Sequence, residues 1–415
     1  MSPPPAISAR AAFGHPDFRR YQIARFIQVI GIEMQSVAMG WQVYLLTDDP
    51  LHLGYIGLAQ FIPFVALSIL GGHTADRYDR HRIFALALVG QILCALALWG
   101  FSLSGMQQVW PIYLVTVGLG TLRAFSMPAT QALLPNLVPP EHFTNAVTWG
   151  STVRQIATIT GPAVGGLVLG ATHGTAPVYA LEAVLLAVAF SFAARLRPRP
   201  MVRKRRDVSW STVLAGFHYV WKQRLLLSTM SMDLFAVLLG GAVALLPVFA
   251  KDILQVGPQG MGILRSAPAI GAATMAVLLA YFPLRRRVGL TMLWCVALFG
   301  VATIVFGLSR SFALSVGALV VLGASDMVSM VVRMTLEQIA TPEEMRGRVG
   351  AVNGMMIGAS NELGEFESGA VAALLGVTTA VVVGGVGTLL VVALWSWWFP
   401  ELRRIDTLEE ASPPA

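Results

Sequence analysis

Residues 72–82 read GHTADRYDRHR, and seven of these eleven side chains are His, Asp or Arg. The flanking runs, about twenty residues each, carry almost no charge, so the stretch must lie where lipid ends and water begins. An apolar run of that length satisfies its own backbone in lipid only as a helix. The turn therefore joins two membrane-spanning helices, and its orientation governs the rest of the chain.

The composition carries this reading outward. Of 415 residues 55% are hydrophobic and 12% charged, with a mean hydropathy of +0.67, which excludes an ordinary soluble globular domain. The alternating pattern of a membrane barrel is absent. A net charge of +7 could suggest nucleic-acid binding, but the placement of the basic residues argues for topology instead. Of 29 Lys and Arg, 22 fall in the termini and alternate loops of one side, 2 (Lys251, Arg310) on the other, and 5 (Arg25, Arg123, Arg154, Arg265, Arg333) within helices. The positive-inside rule puts both termini in the cytoplasm. The start of the chain, proline-rich and without an apolar core before Phe18, reads as neither a signal nor a transit peptide. Cys94 and Cys295 sit in apolar runs as small hydrophobes, so no disulfide framework or metal site is expected.

Apolar runs predict helices over 18–46, 53–75, 83–103, 111–134, 143–171 and 178–196, then 225–250, 261–284, 290–308, 312–339, 349–375 and 379–399. The fold class is thus an all-α membrane protein, with twelve transmembrane helices in two pseudo-symmetric six-helix bundles. The organisation follows: a cytoplasmic tail (1–17), a first bundle (18–196), a basic linker (197–224), a second bundle (225–399) and a cytoplasmic tail (400–415). Within the linker, Trp210, Val213, Leu214, Phe217, Val220 and Trp221 recur at helical spacing, the pattern of an interfacial amphipathic helix over anionic lipid. An internal repeat supports the count. Pro140-Glu141 and Pro342-Glu343 are offset by 202 residues, Pro63 and Pro268 by 205, and Cys94 and Cys295 by 201. Parallel repeats of this kind enclose a central site in transporters.

Ionisable residues inside a bilayer are costly, so each is a functional hypothesis. Glu362 and Glu365 stand three apart on one helical face, while Glu367 points away. Neighbouring carboxylates in a low dielectric resist being charged together, so one can exchange a proton near neutral pH. Glu362 and Glu365, with Asp233 and Glu33, are the candidates for proton coupling; Arg123, Arg154, Arg265 and Asp326 are candidates for the solute cavity. Arg333 and Glu337, four apart, read as a local ion pair. No catalytic triad, phosphate-cradling loop or metal-ligand spacing appears, so no enzyme activity, cofactor or metal is expected.

Gly72, Asp76, Arg77, Arg80 and Arg82 resemble the loop motif G-x-x-x-D-R-x-G-R-R/K of the major facilitator superfamily, with Asp79 standing where that family often has glycine. The resemblance implies a cytoplasmic gating loop in which Asp76 pairs with an arginine near a helix end. Gly161, Pro162, Gly165 and Gly166 resemble the G-P-x-x-G-G element of the superfamily's antiporters, and small residues with a proline suit a hinge. The stretches ALLPNLVP (132–139) and ASNELGEFESG (359–369) are similar to the enterobactin-exporter branch, although Thr130 stands where an arginine is expected. The resemblance spans essentially the whole chain. It implies a monomeric transporter of the bacterial inner membrane, exporting a small siderophore-like or drug-like molecule against protons, in contact with lipid and not with nucleic acid. Proton-coupled nutrient import, or a non-transporting scaffold or sensor, are the alternatives.

Overall fold

The structure, a computed structural model, describes residues 11–105, 107–199, 210–284 and 286–407, with side chains from residue 214 onward in the third segment. The basic linker block at 200–209, Trp210 and Val213 on the amphipathic face, and both chain ends beyond these limits lie outside the described side chains. Among the described residues the chain is all helical. It forms α1 (Pro16–Thr47), α2 (Pro50–Arg77), α3 (Arg80–Leu103), α4 (Trp110–Leu133), α5 (Phe143–Thr172), α6 (Ala176–Ala193), α7 (Trp210–Lys222), α8 (Arg224–Leu239), α9 (Leu246–Val248), α10 (Gly257–Tyr281), α11 (Val288–Leu308), α12 (Phe312–Ala340), α13 (Glu343–Leu375), α14 (Val377–Trp398) and α15 (Pro400–Arg404).

One expected helix is broken. The run 225–250 ends as α8 at Gly240-Gly241, continues as a 3-10 turn (Ala242–Leu245) and α9, and finishes as a π-helical turn (Phe249–Ile253). Two consecutive glycines lower the helical preference, and Pro247 removes a backbone donor. The break also admits a neighbour: a Cβ on Gly241 would lie 2.7 Å from the Gly364 carbonyl of α13.

Among the described residues, ten helical stretches are long and apolar enough to cross a membrane. The other two expected spans, α1 and α13, run 32 and 33 residues, about 48 Å at 1.5 Å per residue. Length suffices for both, but α1 carries Asp17, Arg19, Arg20, Arg25 and Glu33, and α13 begins with Glu343, Glu344, Arg346 and Arg348 and holds three further glutamates.

The chain divides into two compact units, residues 1–39 with 62–208, and residues 40–61 with 209–415. In the first, α3 packs on α4 and α6 around Phe18, Tyr21, Phe84, Leu88, Leu133 and Leu186. Gly161 and Gly165 bring α5 against Ile30, Glu33 and Met34 of α1, and Gly71 brings α2 against the Ala124 carbonyl of α4. In the second, α11 packs on α12 and α14, α13 packs on α8, and α10 packs on α12. Helices α10 and α12 approach closely at Gly323, where a Cβ would lie 1.9 Å from the Pro268 carbonyl. Each unit thus repeats the same helix pairings, as the offsets of Pro63 with Pro268 and Cys94 with Cys295 require. The apolar stripe of α7 is divided: Phe217 and Val220 pack with Val349 and Val352 of α13, while Leu214 and Trp221 stay exposed.

Candidate functional site

In the second unit, Asp233 lies nine residues into α8, about 14 Å from its start, and is buried. Its partner is Arg333 of α12, 4% exposed, with which it forms an ion pair. The local pair expected between Arg333 and Glu337 gives way to this one. A neighbouring helix supplies the counter-charge, and Glu337 instead accepts from Asn353 Nδ2 of α13 at 2.7 Å. Asp326, two turns before Arg333 on α12, shares a small cavity with Asp233, lined also by Val237, Val296, Phe299 and Ser329. A water centre can occupy about 10 Å³ there, the room of a single molecule. No hydrogen bond or ion pair joins Asp326 to another described residue.

Glu362 is 6% exposed on α13. Its backbone carbonyl and the Glu365 side chain both press on Gly57 of α2, where a Cβ would lie 2.8 and 2.9 Å from them. Glu367 is met by the Ser368 hydroxyl at 3.5 Å. The structure thus keeps Glu362 and Glu365 on one face, but apart from the cavity of Asp233 and Asp326. Arg265, half-buried on α10, does not line that cavity either.

The first unit gathers a second polar group. Arg154 of α5 lies within the electrostatic reach of Glu33 and Arg25 of α1. Arg25 donates to Gln28 Oε1 at 2.8 Å, and Gln28 donates to Gln91 of α3 at 2.8 Å. Glu33 packs its Cβ against Gly161. Arg123 stands elsewhere, its guanidinium 4.9 Å from the Phe64 ring centroid on α2, a cation–π contact. Glu182 of α6 is 1% exposed beside Gly31. Pro162 interrupts no helix, since α5 runs through it unbroken.

The charged turn is built locally. Asp79 caps α3, accepting from His81 N at 2.9 Å, which explains an aspartate where the family motif has glycine. Arg80 approaches Asp76 at 4.0 Å and donates to the Ala132 carbonyl at the end of α4 at 2.8 Å. Arg77 and Arg82 project outward, exposed. Gly72 is half-buried at the end of α2.

Two groups of residues escaped the sequence reading. In the second unit Tyr44 donates to Asp252 and Lys251 pairs with Asp48 at 2.5 Å, tying the α1–α2 turn to the π-helical turn. In the first, the turn at Ala11–Gly14 is strapped to α5: Ala12 N donates to Asn145 Oδ1 at 3.0 Å, and His15 meets His142 at 2.9 Å. Burial, His142 and Arg199 hold the His15 imidazole below its ordinary range.

Long apolar helices, with acids and arginines buried inside each of the two units, define a multi-pass membrane protein. Over residues 7–413 the chain matches the profile of the family described as transmembrane secretion effector, and it belongs to that family of the major facilitator superfamily. It is a secondary transporter, not an enzyme. It is 27% identical over 394 residues to the enterobactin exporter EntS of Shigella boydii serotype 18, covering 94% of this chain and 93% of that protein. The same figures hold for EntS of Escherichia coli O1:K1. Among solved structures it is similar in fold to the nucleoside transporter NupG (TM-score 0.73, 16% identity, 92% of this chain and 99% of that one). It is also similar to a bacterial homologue of the iron transporter ferroportin in an inward-facing state (TM-score 0.69, 15% identity, 92% and 98%).

Proposed function

We propose that this transporter exports a siderophore-like organic molecule from the cytoplasm across the bacterial inner membrane in exchange for protons. The full-length likeness to enterobactin exporters carries the reading, since 94% of the chain aligns without loss of either unit. On this reading α1 and α13 also span, giving twelve helices in two bundles that alternate access as a monomer, with both termini cytoplasmic. Protons exchange at buried acids, for which Glu362, Glu365, Asp233 and Glu33 are the candidates. Arg123, Arg154 and Arg265 meet anionic groups of the solute. Gly72, Asp76, Arg77, Arg80 and Arg82 gate the cytoplasmic side, and Gly161, Pro162, Gly165 and Gly166 flex α5. The test is direct. In inverted vesicles holding an acid interior, enterobactin should draw protons outward, reported by recovery of a quenched pH dye. No recovery with enterobactin, under conditions where a known proton exchanger gives it, overturns siderophore exchange.

A further inference from the structure

The cavity between α8, α11 and α12 is too small for any organic solute, which needs hundreds of Å³. It is large enough for one water molecule, and its polar lining is two carboxyls and a serine. Charge decides what the carboxyls do. Asp233 is matched by Arg333, and Glu337, one turn further along α12, is held by Asn353. The neighbouring elements supply Asp326 with no second cation. α11 carries no charged residue, and within its span α8 offers only Asp233 beyond its first residue Arg224. On α10, the Gly323–Pro268 contact sets Arg265 about six residues, or 9 Å, along the axis from the level of Asp326. A carboxylate without a cation in such a site is costly, so the group is favoured in its protonated, neutral form.

We propose that Asp326 is the proton-carrying carboxyl of the second unit and that Arg333 is its positioning residue. The inference rests on the proton-exchange reading and gives Asp326, expected from sequence to face the solute, a different task. Arg333 is suited to it. Seven residues on, it lies on the same face of α12, helical side chains lean toward the N-terminus and so toward Asp326, and its buried Nε has no hydrogen-bond partner. When Asp326 gives its proton to the cavity water, the guanidinium can share its charge between two carboxylates. Uptake from water returns it to Asp233 alone. The same proton is gained and lost, and no other reactant is needed.

The experiment needs no solute. Infrared difference spectra of the full-length protein in lipid vesicles, taken between acid and alkaline buffer, should show the carbonyl band of a protonated acid at neutral pH. Labelling aspartate carboxyls with carbon-13 in the unsubstituted protein should shift the band. Asp326→Asn should abolish it, and Glu367→Gln, on a helix the assignment does not use, should leave it. Arg333→Gln should displace its pH profile, with Arg333→Lys restoring it. A band unmoved by the aspartate label, or lost in Glu367→Gln, overturns the proposal even if Asp326→Asn fails to assemble. Because the signal is read without transport, failure of enterobactin exchange and failure of this assignment are separate results.

Discussion

Removing Arg333 should do more harm than removing both members of its pair. Arg333→Met leaves the Asp233 carboxylate, 7% exposed, facing Val296 and Phe299 with no cation. Breaking a buried pair from one side costs about 3–5 kcal/mol, whereas replacing both partners by apolar side chains is often neutral or stabilising. At about 1.4 kcal/mol per decade, the single variant loses roughly two to three and a half decades in the folded-to-unfolded ratio. Asp233→Leu should cost less, because Glu337 stands one turn from Arg333 on the same helix and offers a second partner. The double variant Arg333→Met/Asp233→Leu should recover most of the loss. Unfolding in micelles of rising denaturing-detergent content, followed by tryptophan fluorescence, measures all four corners of the cycle. If the double variant loses the sum of the singles within about 0.5 kcal/mol, the two side chains do not act as a pair and the reasoning fails.

Two further outcomes follow from the geometry. Gly323→Ala places a Cβ 1.9 Å from the Pro268 carbonyl, backbone against backbone, so α10 and α12 must part at a cost of about 1–3 kcal/mol or more. Gly354→Ala, with open space around it on α13, should gain up to about 1 kcal/mol; thermal stability by fluorescence-detected gel filtration ranks the two, and equal behaviour would contradict the packing. In the first unit, His15 is folded in its neutral form with its imidazole held below the unfolded range, so its contribution is present above that range and lost as pH falls through the folded value. Hydrogen exchange of the segment around residues 11–20, corrected for intrinsic pH dependence, should therefore accelerate on acidification in the wild type and show a weaker dependence in His142→Phe, where burial and Arg199 still act on His15.

What could be read in the sequence is what is local. The turn at 72–82 announces itself because charge interrupts apolar runs, and Asp79 before α3 is a helix cap visible in one dimension. The Gly240-Gly241 pair marks the break after α8, although run length alone hid it. The partner of Arg333 was not legible. A spacing of four favours Glu337, and only the packing of α12 against α8 brings Asp233, a hundred residues away, within reach. The Tyr44–Asp252 and Lys251–Asp48 contacts are hidden for the same reason, since each joins segments some 200 residues apart.

The two helices that fall short of the apolar criterion, α1 and α13, carry Glu33, Glu362 and Glu365. The coincidence has a cause. A buried carboxyl lowers the hydropathy of the helix that holds it, and the small residues that let such a helix pack closely lower it further. Gly364 and Gly369 of α13 do this, since a Cβ on either would lie 2.9 Å from the backbone of α8 or α2. Hydropathy is a measure of contact with lipid, while a helix that lines a polar path is screened from lipid by its neighbours. In this chain the buried acids divide between the helices that hydropathy passes over, α1 and α13, and helices that it finds, α8 with Asp233 and α12 with Asp326.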